Sequence, residues 1–225
     1  MKPQIAQILE PERSQLKPDS AGHRGAYDTR FRRVVGKEAW ERLPEAVQRR
    51  FSKRVEGDRV VIYPGVIKQA RFSGVGRVLA QVCRLIGGPL PLSADCNVPA
   101  AVSVSEDCKS GGQCWTRVYG RKSGFPQVIH SAKRFAGPSG LEEHIGRGIG
   151  MALRVSVVEG GLEFRSEHYF IEWFGKRIKL PRWMEPGQTA VRHIDQGEGR
   201  FIFSLDVRHP WFGEIVYQEG VFEDA

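Results

Sequence analysis

Apolar residues along this chain recur at two periods. Trp40, Leu43, Val47 and Phe51 are spaced by three, four and four, the repeat of one helix face. Pro44 falls inside that series and is expected to open a second helix at its first turn, so Tyr27 to Val55 reads as two short helices. Arg59 to Phe72 reads as a strand broken at Pro64-Gly65. A further amphipathic helix follows, with Val75, Val78, Leu79, Val82, Leu85 and Ile86 on its apolar face and Gly87-Gly88-Pro89 as its stop. It is expected to flank or plug a sheet.

From Val98 onward the period shortens to two. Val98–Ser105, Gln113–Gly120, Phe125–Phe135, Leu141–Arg147, Gly148–Glu159, Ala190–Asp195, Arg200–Arg208 and Gly213–Phe222 all read as strands. The longest and most aromatic stretch is Gly160–Trp183, entered through an expected two-residue turn at Gly160-Gly161. Strict alternation puts Leu162, Phe164, Ser166, His168, Phe170, Glu172 and Phe174 on one face, expected to point into a core. Glu163, Arg165, Glu167, Tyr169, Ile171 and Trp173 then share the other face. A series of nine or ten short strands with no helix after Gly88 indicates antiparallel β, and open edges favour closure or sandwiching. The fold class expected is α+β: a large curved antiparallel sheet or barrel with two or three N-terminal helices packed on it. Residues 1–25, with three prolines and little apolar pattern, read as a flexible tail before one domain over 26–225.

Charge sharpens this picture in one place. The formal net charge is +8, and Arg30 to Arg54 holds nine Lys/Arg against three Glu. Such a surface attracts phosphate, although a solvated helix face has the same composition. No apolar run reaches the roughly 18 residues a membrane helix needs, and the N-terminus lacks a signal-peptide core, so a cytoplasmic protein is expected. Cys83, Cys96, Cys108 and Cys114 match no zinc spacing. Cys108 and Cys114 bracket a glycine turn and are expected to be reduced.

Motifs for catalysis are sparse. Gly74 and Gly76 lack the third glycine of a dinucleotide loop, and no nucleophile elbow, phosphate loop or metalloprotease signature occurs. No cofactor and no metal are expected. His168, mid-strand among aromatics, and Glu163 are the weak candidates for a general base. Trp115, Arg117 and Tyr119 share a strand face, and Tyr169 lies among carboxylates on its own. If these faces line a lumen, they make an aromatic pocket with a charged group inside, suited to an apolar molecule with one polar end. Arg182 and Trp183 are read as a rim loop of that pocket, a placement that also suits a membrane interface or a plain anchor.

The motifs WTRVY from Trp115, IKLPRWMEP from Ile178 and FSLDVRHPWFGEIVYQEGVF from Phe203 resemble a bacterial family catalogued as Domain of Unknown Function 4166. The stretches LPEAVQRRF (Leu43–Phe51) and GVGRVLAQVCRLIGGPLP fit it too, and the resemblance covers about residue 27 to the end. It implies a discrete domain that occurs alone or behind a saccharopine-dehydrogenase-like or epimerase-like Rossmann domain, which makes such a domain a candidate partner. It implies no catalytic residues. Three functions stay open: a non-catalytic module holding a hydrophobic or amphipathic, lipid-like molecule; an accessory domain binding a protein partner or polyanion through the basic helices; and a cyclase- or isomerase-like enzyme with His168 or a buried glutamate as general base. Nucleic acid is not an expected partner.

Overall fold

The structure is a computed structural model that describes residues 27–57 and 59–224. The expected tail over residues 1–25 lies outside them. Three short helices come first, α1 (Arg30–Val35), α2 (Lys37–Glu41) and α3 (Glu45–Phe51). The sequence suggested two; Gly36, at φ 91°, turns the chain between α1 and α2. Pro44 caps α3, since its ring leaves no N–H to satisfy at a helix start.

Eleven strands follow: β1 (Val61–Phe72), β2 (Val98–Asp107), β3 (Gly112–Tyr119), β4 (Gln127–Arg134), β5 (Glu142–Gly146), β6 (Ile149–Val158), β7 (Gly161–Trp173), β8 (Lys176–Lys179), β9 (Gln188–Gly197), β10 (Arg200–His209) and β11 (Gly213–Glu223). All but β8 close into one antiparallel barrel, because β6 pairs with β7 and β11 returns to β1. β8 lies outside, on the free side of the last residues of β7. Closure leaves few exposed edges. β1 is continuous through Pro64-Gly65: β11 joins it only from Gly65 onward, so the proline sits where that flank carries no ladder.

Four connections are two-residue turns, Arg147-Gly148, Glu159-Gly160, Phe174-Gly175 and Glu198-Gly199, with φ from 41° to 77°. These are left-handed hairpin turns that match strand twist. The turn expected at Gly160-Gly161 falls one residue earlier, and Gly161 opens β7 opposite Val158.

The alternation expected along β7 holds only to Ser166. Leu153 of β6 pairs with Ser166 while Ala152 pairs with His168, leaving Glu167 as an extra residue. This bulge reverses the faces. Leu162, Phe164 and Ser166 point inward, then Tyr169 does, and His168 and Phe170 turn outward. Phe170 is nonetheless fully buried, covered by the Arg177 guanidinium 4.3 Å from its ring centroid and by His144. An apolar residue hidden on the outer face is what made simple alternation mislead.

In an antiparallel barrel successive connections alternate between the two ends. The helices α1–α3 cover one end, where Phe31, Trp40, Val47 and Phe51 are buried. Phe31 and Phe51 pack on Phe164 of β7. Arg50 reaches from α3 to Asp195 (2.7 Å) and Asp224 (2.6 Å) and lies over Phe201. Burial opposes its charge, but the two carboxylates override it and raise its pKa. The other end carries α4 (Gly74–Cys83), the helix expected to flank the sheet. It sits very close to β11: a Cβ on Gly76 would lie 2.0 Å from the Ile215 carbonyl oxygen, so only glycine fits. From α4 the chain crosses the barrel mouth as a strap at Pro89–Leu92. Gln127 pins it, donating from Nε2 to the Leu90 carbonyl (2.9 Å) and accepting from the Leu92 N–H (2.8 Å).

Candidate functional site

The barrel interior is mostly filled by its own side chains. Among the described residues two voids lie near aromatic residues singled out in the sequence. One, of about 30 Å³, lies under α3 and is lined by Tyr63, Trp115, His193, Phe201 and Phe203. The other, of about 60 Å³, lies under the strap and is lined by Leu90, Arg117, Glu143, Met151, Tyr169 and Val191, with further apolar wall from β10.

Between them sits a buried polar group that strand pairing assembles. β4 sets Lys133 opposite Glu143 of β5, and β3 sets Trp115 opposite Ser131 of β4. The Lys133 ammonium lies 3.1 Å from Glu143 and the Arg117 guanidinium 3.5 Å from it. Arg117 also donates to Ser131 Oγ at 2.5 Å. Lys133 Nζ stands 4.6 Å from the Trp115 ring centroid, a favourable cation–π placement. Burial alone would push the Glu143 carboxyl up, but Lys133 and Arg117 dominate and hold it at about 2. Burial pushes the Lys133 ammonium down, Glu143 pulls it partly back, and Arg117 adds to the downward push. The group therefore contains two basic side chains and one carboxylate.

Of four buried side-chain polar atoms without a hydrogen-bond partner among the described residues, two, Arg117 Nε and His193 Nδ1, belong to residues that line the voids. Burial first, and Arg50 second, hold His193 down at about 3, so it is neutral. Tyr169 hydrogen-bonds Thr189 through its hydroxyl at 2.6 Å, and burial pushes it up to about 12.

Of the residues picked out in the sequence, Trp115, Arg117 and Tyr169 face the interior. Tyr119 lines a separate small recess with Ile67 and Gln218. Arg182 and Trp183 do not join them. The strand run ends at Lys179, and Pro181 starts a short exposed 3-10 helix, Arg182–Met184, outside the barrel. His168 lies on the outer face, half-buried. Glu163 is also on the outer face, held by Arg165 (2.7 Å) and Arg192 (2.8 Å). Despite burial these two arginines lower its pKa, which weakens it as a proton acceptor. Lys133 and Glu143 were not singled out in the sequence. Each shares a strand face with buried neighbours two residues apart, Ile129 and Ser131 for the lysine and Leu141 for the glutamate, but their opposition becomes visible only once β4 and β5 are paired. All four cysteines are free thiols.

The family model described as "Domain of unknown function (DUF4166)" matches residues 43–222. The chain belongs to this family. Searches of curated proteins and of solved structures found no match. The matched span of the family starts in the loop before α3 and ends on β11, so it includes every barrel strand and the whole polar group. No group of three or more metal-ligating side chains occurs among the described residues.

Proposed function

We propose that the barrel is a binding module for a small amphipathic molecule carrying a hydrogen-bond acceptor, anionic by preference, at its polar end. One observation carries this reading: Arg117 Nε is buried and unpartnered, and Arg117 lines a mostly apolar void. A buried guanidinium donor without an acceptor is unfavourable by about 1–3 kcal/mol, and a ligand carboxylate or carbonyl would relieve it. Its apolar part would lie along Met151, Val191, Leu205 and the strap residue Leu90. The charge inside points the same way. With Lys133 protonated the group holds one positive charge in excess, and an incoming anion would complete it.

The void is small beside the 300–1,000 Å³ of typical ligand pockets, so a longer chain would have to displace the strap. The general-base reading has less support, because His168 and Glu163 sit on the outer face, and Glu143, the buried carboxylate that does line a void, is held at about 2 by Lys133 and Arg117. The polyanion reading is also weakened. Of the nine basic residues from Arg30 to Arg54, five are already in ion pairs: Arg30, Arg32, Arg49, Arg50 and Arg54.

Octanoate titration followed by calorimetry tests the proposal. Saturable binding at one site is expected, with Arg117→Gln weakening it at least about tenfold, the equivalent of one lost charge-assisted bond. Arg117→Lys should restore only part of the affinity. Absence of octanoate binding to the wild-type chain, or equal affinity in Arg117→Gln, would overturn it.

A further inference from the structure

The barrel end bearing α4 has a surface unlike the rest of the molecule. Sixteen large hydrophobic residues are exposed among the described residues. Twelve of them lie in α4 and the following turn, the β3–β4 loop, the segment from Trp173 to Met184, and the β10–β11 turn. Strand alternation brings all these segments to one end. Three of the chain's five tryptophans are there, Trp173, Trp183 (72% exposed) and Trp211 (76%). Phe174 is 88% exposed at the tip of the β7–β8 hairpin, with φ 48°, a conformation a bulky residue rarely takes.

The helix contributes a second apolar element. Gly76, Leu79 and Ala80 face the barrel, while Val75, Val78, Val82 and Leu85 form a stripe on the opposite, solvent side. An amphipathic helix with an apolar outward stripe has no folded-state reason to be so.

Charge accompanies these residues. The connecting segments 74–97, 120–126, 147–148, 174–187 and 210–212 hold nine Lys/Arg against two acidic residues, Asp95 and Glu185; of the nine, Arg177 is already paired with Glu142 and Glu172. Tryptophans interleaved with cations are the composition of a membrane interface, where indoles sit at headgroup level and Lys/Arg meet anionic lipid. A protein interface core, by contrast, is depleted in lysine.

We infer that this end of the barrel docks onto an anionic lipid bilayer, with Trp183, Trp211, Phe174 and the α4 stripe entering the headgroup region and the surrounding Lys/Arg pairing with lipid phosphates. No helix of the described residues is long and apolar enough to cross a membrane. The surface rests on different observations from the interior site and would serve an empty barrel equally well.

Flotation of the full chain with phosphatidylcholine vesicles, with and without phosphatidylglycerol, tests it. Binding is expected only to the anionic vesicles, with a blue shift of tryptophan emission and release by high salt. The triple variant Phe174→Ser, Trp183→Ser, Trp211→Ser, shown folded by an unchanged melting transition, should lose at least about tenfold in affinity. Lys176→Glu with Lys179→Glu should weaken binding to anionic vesicles as well. Failure to float with anionic vesicles at low salt, or flotation unaffected by the triple variant, would overturn the inference. So would sedimentation showing a dimer that the triple variant abolishes, which would assign the rim to a second copy of the chain. Octanoate affinity does not enter any of these outcomes.

Discussion

The two ends of the barrel solve the same problem in opposite ways. At one end α1–α3 seat Phe31, Trp40, Val47 and Phe51 in the interior and lock Arg50 between Asp195 and Asp224. At the other, a helix and a strap cross the mouth, and the large side chains point outward. Aromatic residues are abundant at both, so their number says nothing about role. What separates the ends is whether a tryptophan is covered by the chain itself. The first end should govern stability, and the second should govern encounters with other molecules.

The sharpest test of that division is a pair of tryptophan deletions. Trp40→Ala, at the covered end, should destabilise the fold by about 3–5 kcal/mol, measured by urea unfolding. If it does not, the helices are an accessory and the barrel is stable without them. Between the ends, Glu143→Gln leaves Lys133 and Arg117 without their carboxylate and should lose about 3 kcal/mol at neutral pH. Its pH dependence is the more informative readout. The folded-state pKa of Glu143 is depressed from 4.5 to about 2, so its contribution is complete above pH 4.5 and is lost as pH falls toward 2. The variant should therefore show a shallower acid limb in that window, and an unchanged limb would mean that the charged pair does not form. Trp183→Ala, at the exposed end, should change stability by no more than about 0.5 kcal/mol. A larger loss would show that the rim is held by packing and is not a free surface.

Much of this was legible beforehand, for identifiable reasons. Period-two runs and X-Gly turns mark antiparallel strands because side-chain direction and hairpin twist are local properties. That Trp115, Arg117 and Tyr119 share one strand face followed from the same alternation; which face is inside did not. Three features were not legible. The bulge at Glu167 leaves no mark, because Ser166, Glu167 and His168 are all polar and any of them could be the extra residue. Phe170 is buried outside by residues from β5 and β8, a contact no local window contains. The Lys133–Glu143 opposition depends on how a seven-residue connection sets the β4–β5 register, which composition does not specify.

The seam between β1 and β11 has a consequence for how the chain becomes a protein. Most neighbouring strands are also neighbours in sequence, but Gly65 pairs with Phe222 across nearly the whole domain. Contacts of such sequence separation form late, because the loop entropy must be met first. During synthesis β1 waits with one edge unpaired until β11 leaves the ribosome, and a chain truncated before β11 keeps both edges open to other strands. The final eleven-residue strand is thus the closing step of folding, and its loss would convert a sealed barrel into an aggregation-prone sheet.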